Sequence, residues 1–137
     1  MKIVLDHGAY APIRAHRTDA GMDLRSPVAI VIPARGSVAI NTGVHVELPE
    51  GTYGAIRSKS GLAVKFGITA FEGTIDVGYT GAIVVKLFNH TDEDYRVHKA
   101  DKIAQLVVQP CEFPDVELVD SLDETERGDN GFGSTGR

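Results

Sequence analysis

The sequence predicts an all-β domain, a sandwich or barrel, on two observations. Short apolar runs rich in β-branched residues recur at 3–5, 28–32, 37–40, 44–48, 83–88 and 103–109. Gly and Pro punctuate the intervals, at Pro33, Gly36, Gly43, Pro49-Glu50-Gly51, Gly73, Gly78, Gly81 and Pro110. Many short strands separated by turn signals are the pattern of a β-sandwich or barrel.

Each element follows from its local pattern. The unbroken run Val28-Ala29-Ile30-Val31-Ile32 predicts a strand covered on both faces. Ser60-Gly61-Leu62-Ala63-Val64-Lys65-Phe66 breaks the β rule and predicts two turns of helix with Leu62 and Phe66 on one face. After Pro114, the alternation of Val116 and Leu118 predicts a last strand. An acidic connector begins at Asp120, and the segment from Arg127 to Arg137 carries four glycines and one large apolar side chain, Phe132. Such a segment cannot build a core, so the chain divides into a β domain over 1–119 and a connector with a glycine-rich lid over 120–137. A basic residue, an aromatic, two hydroxyls and spaced glycines together make a kit for binding phosphate and a ring.

Composition excludes several function classes. The chain has 137 residues, enough for one domain with a real core. Its net charge of −5 argues against a general nucleic-acid or anionic-membrane surface. A single cysteine, Cys111, rules out an internal disulfide and reads as a buried small hydrophobe. The apolar run at the N-terminus is too short for a signal peptide, and no stretch reaches the ~18 apolar residues of a membrane span. A cytoplasmic location is the default expectation. The five histidines lack zinc-ligand spacing. Asn89-His90-Thr91 spells a glycosylation acceptor, read as coincidence without a secretory signal.

Four internal clusters carry chemistry-bearing residues, each with a plainer reading beside it. Asp23, in Asp19-Ala20-Gly21-Met22-Asp23-Leu24, sits on an apolar segment where it would hold a metal-bound water, or is simply a solvated turn residue. Arg57-Ser58-Lys59-Ser60-Gly61-Leu62 places cations, hydroxyls and a glycine at a strand-to-helix junction suited to phosphate; the plainer role is an N-cap at Ser58 or Ser60. In Gly73-Thr74-Ile75-Asp76-Val77-Gly78-Tyr79-Thr80-Gly81 an extended chain would turn Asp76 and Thr74 to one face and Ile75 and Val77 to the other. A carboxylate so held would deprotonate a water; alternatively Asp76 is an ordinary turn residue in a hairpin. Gln105, in Lys99-Ala100-Asp101-Lys102-Ile103-Ala104-Gln105-Leu106, is a polar residue in an apolar run, as readily structural as ligand-binding.

In order and spacing these clusters resemble the five motifs of the trimeric dUTPase family across nearly the whole chain. The most specific counterparts are Gly-x-Ile-Asp-x-x-Tyr-x-Gly from Gly73 to Gly81 and Arg-Gly-x-x-Gly-Phe-Gly-Ser-Thr-Gly from Arg127 to Gly136. The resemblance implies a jelly-roll-like β fold, a homotrimer with shared active sites, and Mg²⁺-assisted hydrolysis of dUTP to dUMP and pyrophosphate by water attacking the α-phosphorus. That activity limits uracil incorporation into DNA and supplies dUMP for thymidylate synthesis. Asp76 would orient and deprotonate the water, Tyr79 would lie against the deoxyribose, and the main chain around Gly73 and Ile75 would read uracil. Asp23 would hold a water of the magnesium shell. Lys59, Ser60, Gly61, Gln105, Arg127, Gly133, Ser134 and Thr135 would contact the triphosphate, with Phe132 stacked on uracil.

Three positions depart from the family pattern: Lys59 stands where Arg is usual, Ala100 replaces a usual Gly, and Lys102 a common Arg. Along a strand Arg57 and Lys59 would point to the same side, so Arg57 would share the role. Phe71-Glu72 is expected at the hairpin tip beside the uracil pocket. Two rivals are a dCTP deaminase, for which no Glu-bearing cytosine motif is apparent, and a regulatory protein that uses nucleotide occupancy as a switch toward a partner.

Overall fold

The computed structural model describes residues 1–131. Eleven strands and one helix follow in the order β1 (Lys2–Leu5), β2 (Gly21–Arg25), β3 (Ile30–Ile32), β4 (Ser37–Asn41), β5 (Val44–Glu47), β6 (Thr52–Arg57), α1 (Ser60–Phe66), β7 (Ile68–Ala70), β8 (Gly73–Ile75), β9 (Val84–Asn89), β10 (Tyr95–Val97) and β11 (Lys102–Pro110). The expected all-β architecture with one short helix is what forms. A four-stranded sheet runs β2-β11-β6-β8 and a three-stranded sheet β4-β9-β7, with two-stranded pairs β1-β5 and β10-β3. Among the described residues no helix is long and apolar enough to cross a membrane.

Alternation decides the layering. Along β9, Val85, Leu87 and Asn89 are buried while Val84 and Lys86 are exposed, the period of two that sends successive side chains to opposite faces. The apolar members of the inward set, Val85 and Leu87, join Leu24, Ile32, Ile40, Val44, Ile68, Ile83, Val97, Ile103 and Leu106 in one core cluster. β2 is different: Met22, Asp23 and Leu24 are all buried, so a carboxylate is carried into the interior. The buried Asn89 amide donates to the carbonyls of Ile32 (3.2 Å) and Glu93 (2.7 Å) and accepts from the Thr91 backbone (3.0 Å). That side chain ties the end of β9 to its neighbours and is not displayed for modification.

Several expectations need correction. The 28–32 run yields a strand only over Ile30–Ile32, and Val28 and Val31 are exposed, so it is covered on one face. Val116 and Leu118 form no strand and are 88% and 94% exposed; alternation without a partner edge supplies no ladder bonds. Cys111 is half-buried just past β11, its thiol directed at the Glu112 carbonyl. Neither serine caps α1: Lys59 occupies the N-cap without a side-chain bond, and the Ser58 hydroxyl instead accepts from the Ala70 backbone N–H (2.9 Å). Leu62 and Phe66 do share a face, Leu62 packing on the core and Phe66 on the Tyr95 ring at 5.4 Å.

A strained turn precedes β11. Ala100 has φ of 73°, the left-handed region that favours glycine. Its N–H donates to Ser26 O (2.8 Å) and its carbonyl accepts from Arg25 (3.0 Å), and these bonds hold it there. Ala100→Gly should therefore raise stability by about 0.5–1 kcal/mol, the relief of strain partly offset by the greater freedom of unfolded Gly. Urea unfolding would measure it, and a loss of stability would refute the strain.

Candidate active site

Two groups of site residues lie on the four-stranded sheet. The first lines a cavity of about 370 Å³ bounded by Gly73, Thr74, Ile75, Asp76 and Tyr79 on one side and by Phe71 and Lys86 among others on the rest. β8 is short and lies at the sheet edge, paired with β6 through Gly54↔Ile75 and Ile56↔Gly73. Among the described residues its other edge pairs with no strand, which leaves backbone donors and acceptors for a ligand. Gly54 has no room for a side chain, since a Cβ there would meet Leu106 at 2.9 Å and Ile75 at 3.1 Å.

Asp76 follows the last residue of β8 and opens a turn, closed by the Tyr79 N–H on the Asp76 carbonyl (3.1 Å), with Gly78 at φ 90°. A positive φ at the third position is what a type II turn requires. Asp76 is therefore a turn residue and not part of an alternating strand, and it is exposed at the cavity rim. The Tyr79 ring lies on Gly81, where any Cβ would overlap it, and its hydroxyl donates to Ala82 O (3.2 Å). The Tyr-x-Gly spacing thus has a mechanical reason: the glycine is the seat of the ring.

The segment is not a hairpin, because β8 pairs with β6 while β9 pairs with β4 and β7. Phe71-Glu72 is likewise no hairpin tip but the corner where the chain passes from β7 to β8, in different sheets. Phe71 lines the cavity, and Glu72 accepts from Arg57 (2.6 Å).

The second group centres on Asp23, only 3% exposed. Lys59 Nζ donates to its Oδ1 at 2.6 Å and Lys102 Nζ to its Oδ2 at 2.7 Å. Burial alone pushes this carboxyl up, but the ammonium groups of Lys102 and Lys59 outweigh it and hold its pKa below the ordinary Asp value. Gln105 stands opposite Asp23 in the β11–β2 ladder, its amide 3.4 Å from Oδ1. The register shift between Lys102 and Ala104 marks a bulge beside this group, a feature that re-aims side chains. Ser60 and Gly61 open α1 beside Lys59, Ser60 exposed and Gly61 with open space where a Cβ would be. Arg57 and Lys59 do not act together, since one is held by Glu72 and the other by Asp23.

Lys102 is the residue that sequence reasoning undervalued. In the motif it read only as a lysine where arginine is common; the pairing of β11 with β2 reveals it as the second cation on Asp23. Arg127 is brought to neither group, its guanidinium donating to the nearby Asn130 carbonyl (3.0 Å). Phe132, Gly133, Ser134 and Thr135 lie outside the described residues.

The profile of the dUTPase family matches residues 8–136. The chain belongs to the dUTPase family. A deoxyuridine 5'-triphosphate nucleotidohydrolase of Arabidopsis thaliana is 48% identical over 96% of this chain and 80% of its own length. A dUTPase of Staphylococcus bacteriophage 80alpha, solved with dUPNHPP, superposes with a TM-score of 0.93 at 31% identity, covering 99% of this chain and 98% of that one. A mutant dUTPase of the S. aureus phage phi11, described with a structural Mg(II) ion, matches at a TM-score of 0.82 and 28% identity over 88% and 96% of the two chains.

The donor set around Asp23 bears on which metal site a dUTPase of this sequence can offer. Among the described residues no three His, Cys, Asp or Glu side chains gather as a cage. Both Asp23 oxygens already accept from lysines. This does not suit an ion gripped by protein, and a water of a Mg²⁺ shell would reach this buried carboxylate only with one lysine turned aside.

Proposed function

We propose that this dUTPase hydrolyses dUTP to dUMP and pyrophosphate, with Asp76 activating the water that attacks the α-phosphorus. The observation that carries the reading is the cavity in which the Asp76 turn, the Tyr79 ring and the free edge of β8 meet. Uracil offers a donor flanked by acceptors, the complement of an unpaired strand edge, so backbone groups of Gly73 to Ile75 would read it as strand addition reads a peptide. The Tyr79 ring, seated on Gly81, would close the space beside the sugar against a 2′-hydroxyl. Asp76 at the rim would accept the proton of the attacking water.

Lys59, Lys102, Ser60, Gly61 and Gln105 would position the triphosphate. Asp23 would meet the magnesium hydration shell once a lysine turns from it to the phosphates, and the ion when bound would neutralise phosphate charge. Phosphoryl transfer of this kind needs positioning and charge stabilisation more than covalent help. As a member of its family the protein would assemble its active sites between copies in a homotrimer. We read 120–137 as the connector and lid, with Arg127, Phe132, Gly133, Ser134 and Thr135 closing over the nucleotide and excluding water.

Pyrophosphate release from dUTP, dTTP, dCTP and UTP, each with and without Mg²⁺, tests the proposal. It requires dUTP to be hydrolysed far faster than the other three and Mg²⁺ to accelerate it. Ammonia release from dCTP in place of pyrophosphate release would replace hydrolysis by deamination. Tyr79→Ala should raise activity on UTP relative to dUTP; a folded variant with an unchanged preference would place sugar recognition elsewhere.

A further inference from the structure

We propose that His45 is a positioning residue for the Asp76–Gly81 loop, its imidazolium bridging the Asp6 carboxylate and the Thr80 carbonyl and so holding the base and the sugar-facing ring in place. The inference rests on the reading of Asp76 and Tyr79 given above. His45 lies on β5, opposite Val4 of β1. Its Nδ1 stands 2.8 Å from Thr80 O and its Nε2 3.2 Å from Asp6 Oδ1. A carbonyl and an ionised carboxylate can only accept, so both ring nitrogens must donate, and only the imidazolium has two N–H groups.

The position of this bridge gives it consequence. Within residues 76–82 the Tyr79 N–H bonds Asp76 O and the Tyr79 hydroxyl bonds Ala82 O, both inside the loop. Among the described residues, His45 supplies the one hydrogen bond tying this stretch to another part of the fold. The chain is anchored again only at Ile83, whose N–H donates to Val44 O (2.8 Å) and whose carbonyl accepts from the Thr42 hydroxyl (2.8 Å). Thr80 is the neighbour of Tyr79, so a loosened Thr80 releases the ring and the turn that begins at Asp76.

The charged groups facing His45 are few. Asp6 lies at the end of β1, and Lys2 and Glu47 share the groove beside it but close on one another at 2.9 Å. The Thr80 carbonyl holds the His45 pKa above its ordinary value, against partial burial and with help from Asp6. The bridge is therefore complete below the ordinary His pKa and loses one of its two donors as pH rises through the raised one.

The test uses the full chain. Without nucleotide, NMR titration of the five histidines should find the His45 midpoint above the ordinary value of about 6.5, with the Thr80 and Gly81 amides shifting in step. Asp6→Asn should move that midpoint down. In steady-state assays kcat/KM for dUTP should show an alkaline limb at the same midpoint, and Asp6→Asn should move the limb with it. His45→Gln does not titrate and carries its donors on a single nitrogen, so it cannot bridge both acceptors; it should lie flat across that range, up to about tenfold below wild type on the acid side, the worth of one net hydrogen bond. A His45 midpoint at or below the ordinary value, or a wild-type limb surviving in His45→Gln, overturns the proposal. If Asp76 is not the base, Asp76→Asn stays active while the NMR arm still reports the bridge, so the two failures are told apart.

Discussion

Asp76→Asn is expected to leave the fold and nucleotide binding intact and to lower dUTP turnover by roughly 10²–10⁴-fold, the usual worth of a general base. The residue is exposed at the cavity rim, and its turn is closed by its backbone carbonyl, so the amide replaces the carboxylate without disturbing the turn. In the proposed site binding would rest on other groups, the β8 edge and the Tyr79 ring. The defect should therefore appear in kcat with nucleotide affinity nearly unchanged. Single-turnover hydrolysis and calorimetric titration with a non-hydrolysable dUTP analogue separate the two. Turnover near wild type in a folded variant would remove Asp76 from the role of base; a matching loss of affinity would make it a binding residue.

Sequence pattern revealed most where local physics dominates. The strand over Val84–Asn89 was legible as the apolar, β-branched run at 83–88, and α1 because Leu62 and Phe66 fall four apart. β2, β7 and β10 were not anticipated as strands, each being only three to five residues long, and β8, read as either extended chain or hairpin turn, forms where β6 offers it an edge. The same dependence misled in the other direction at Val116 and Leu118, where alternation is present and a partner strand is not.

Among the site residues, the motifs singled out Asp76, Tyr79 and Asp23, but not their settings. The turn at Asp76 is set by Gly78, and the seat of Tyr79 by Gly81. The lysine bridge on Asp23 joins residues 36 positions apart in the case of Lys59, a contact that register creates and local spacing does not encode.

Asp23→Asn should destabilise the fold by about 2–4 kcal/mol at neutral pH, somewhat less than the 3–5 typical when one member of a fully buried ion pair is removed. The carboxylate is nearly inaccessible and each oxygen accepts from an ammonium group. Asparagine keeps the shape but removes the charge and turns one acceptor into a donor facing a lysine. The discount arises because the Lys59 and Lys102 side chains are 22% and 35% exposed and can turn toward water once unpaired.

The pH dependence of that loss carries a definite sign. The folded Asp23 pKa is lower than its unfolded value of 3.8, so the bridge contributes its full stability above that value. The contribution fades as pH falls through the lower, folded pKa. Urea midpoints of wild type and Asp23→Asn should accordingly differ at neutral pH and converge in acid. A gap that persists in acid would mean that packing rather than charge holds the site, and no gap at neutral pH would mean that the bridge is not formed. Lys59→Met and Lys102→Met each leave Asp23 one partner, so their combined loss should exceed the sum of the two singly. Both should also weaken nucleotide binding, which joins the stability of this buried carboxylate to the placement of the phosphates.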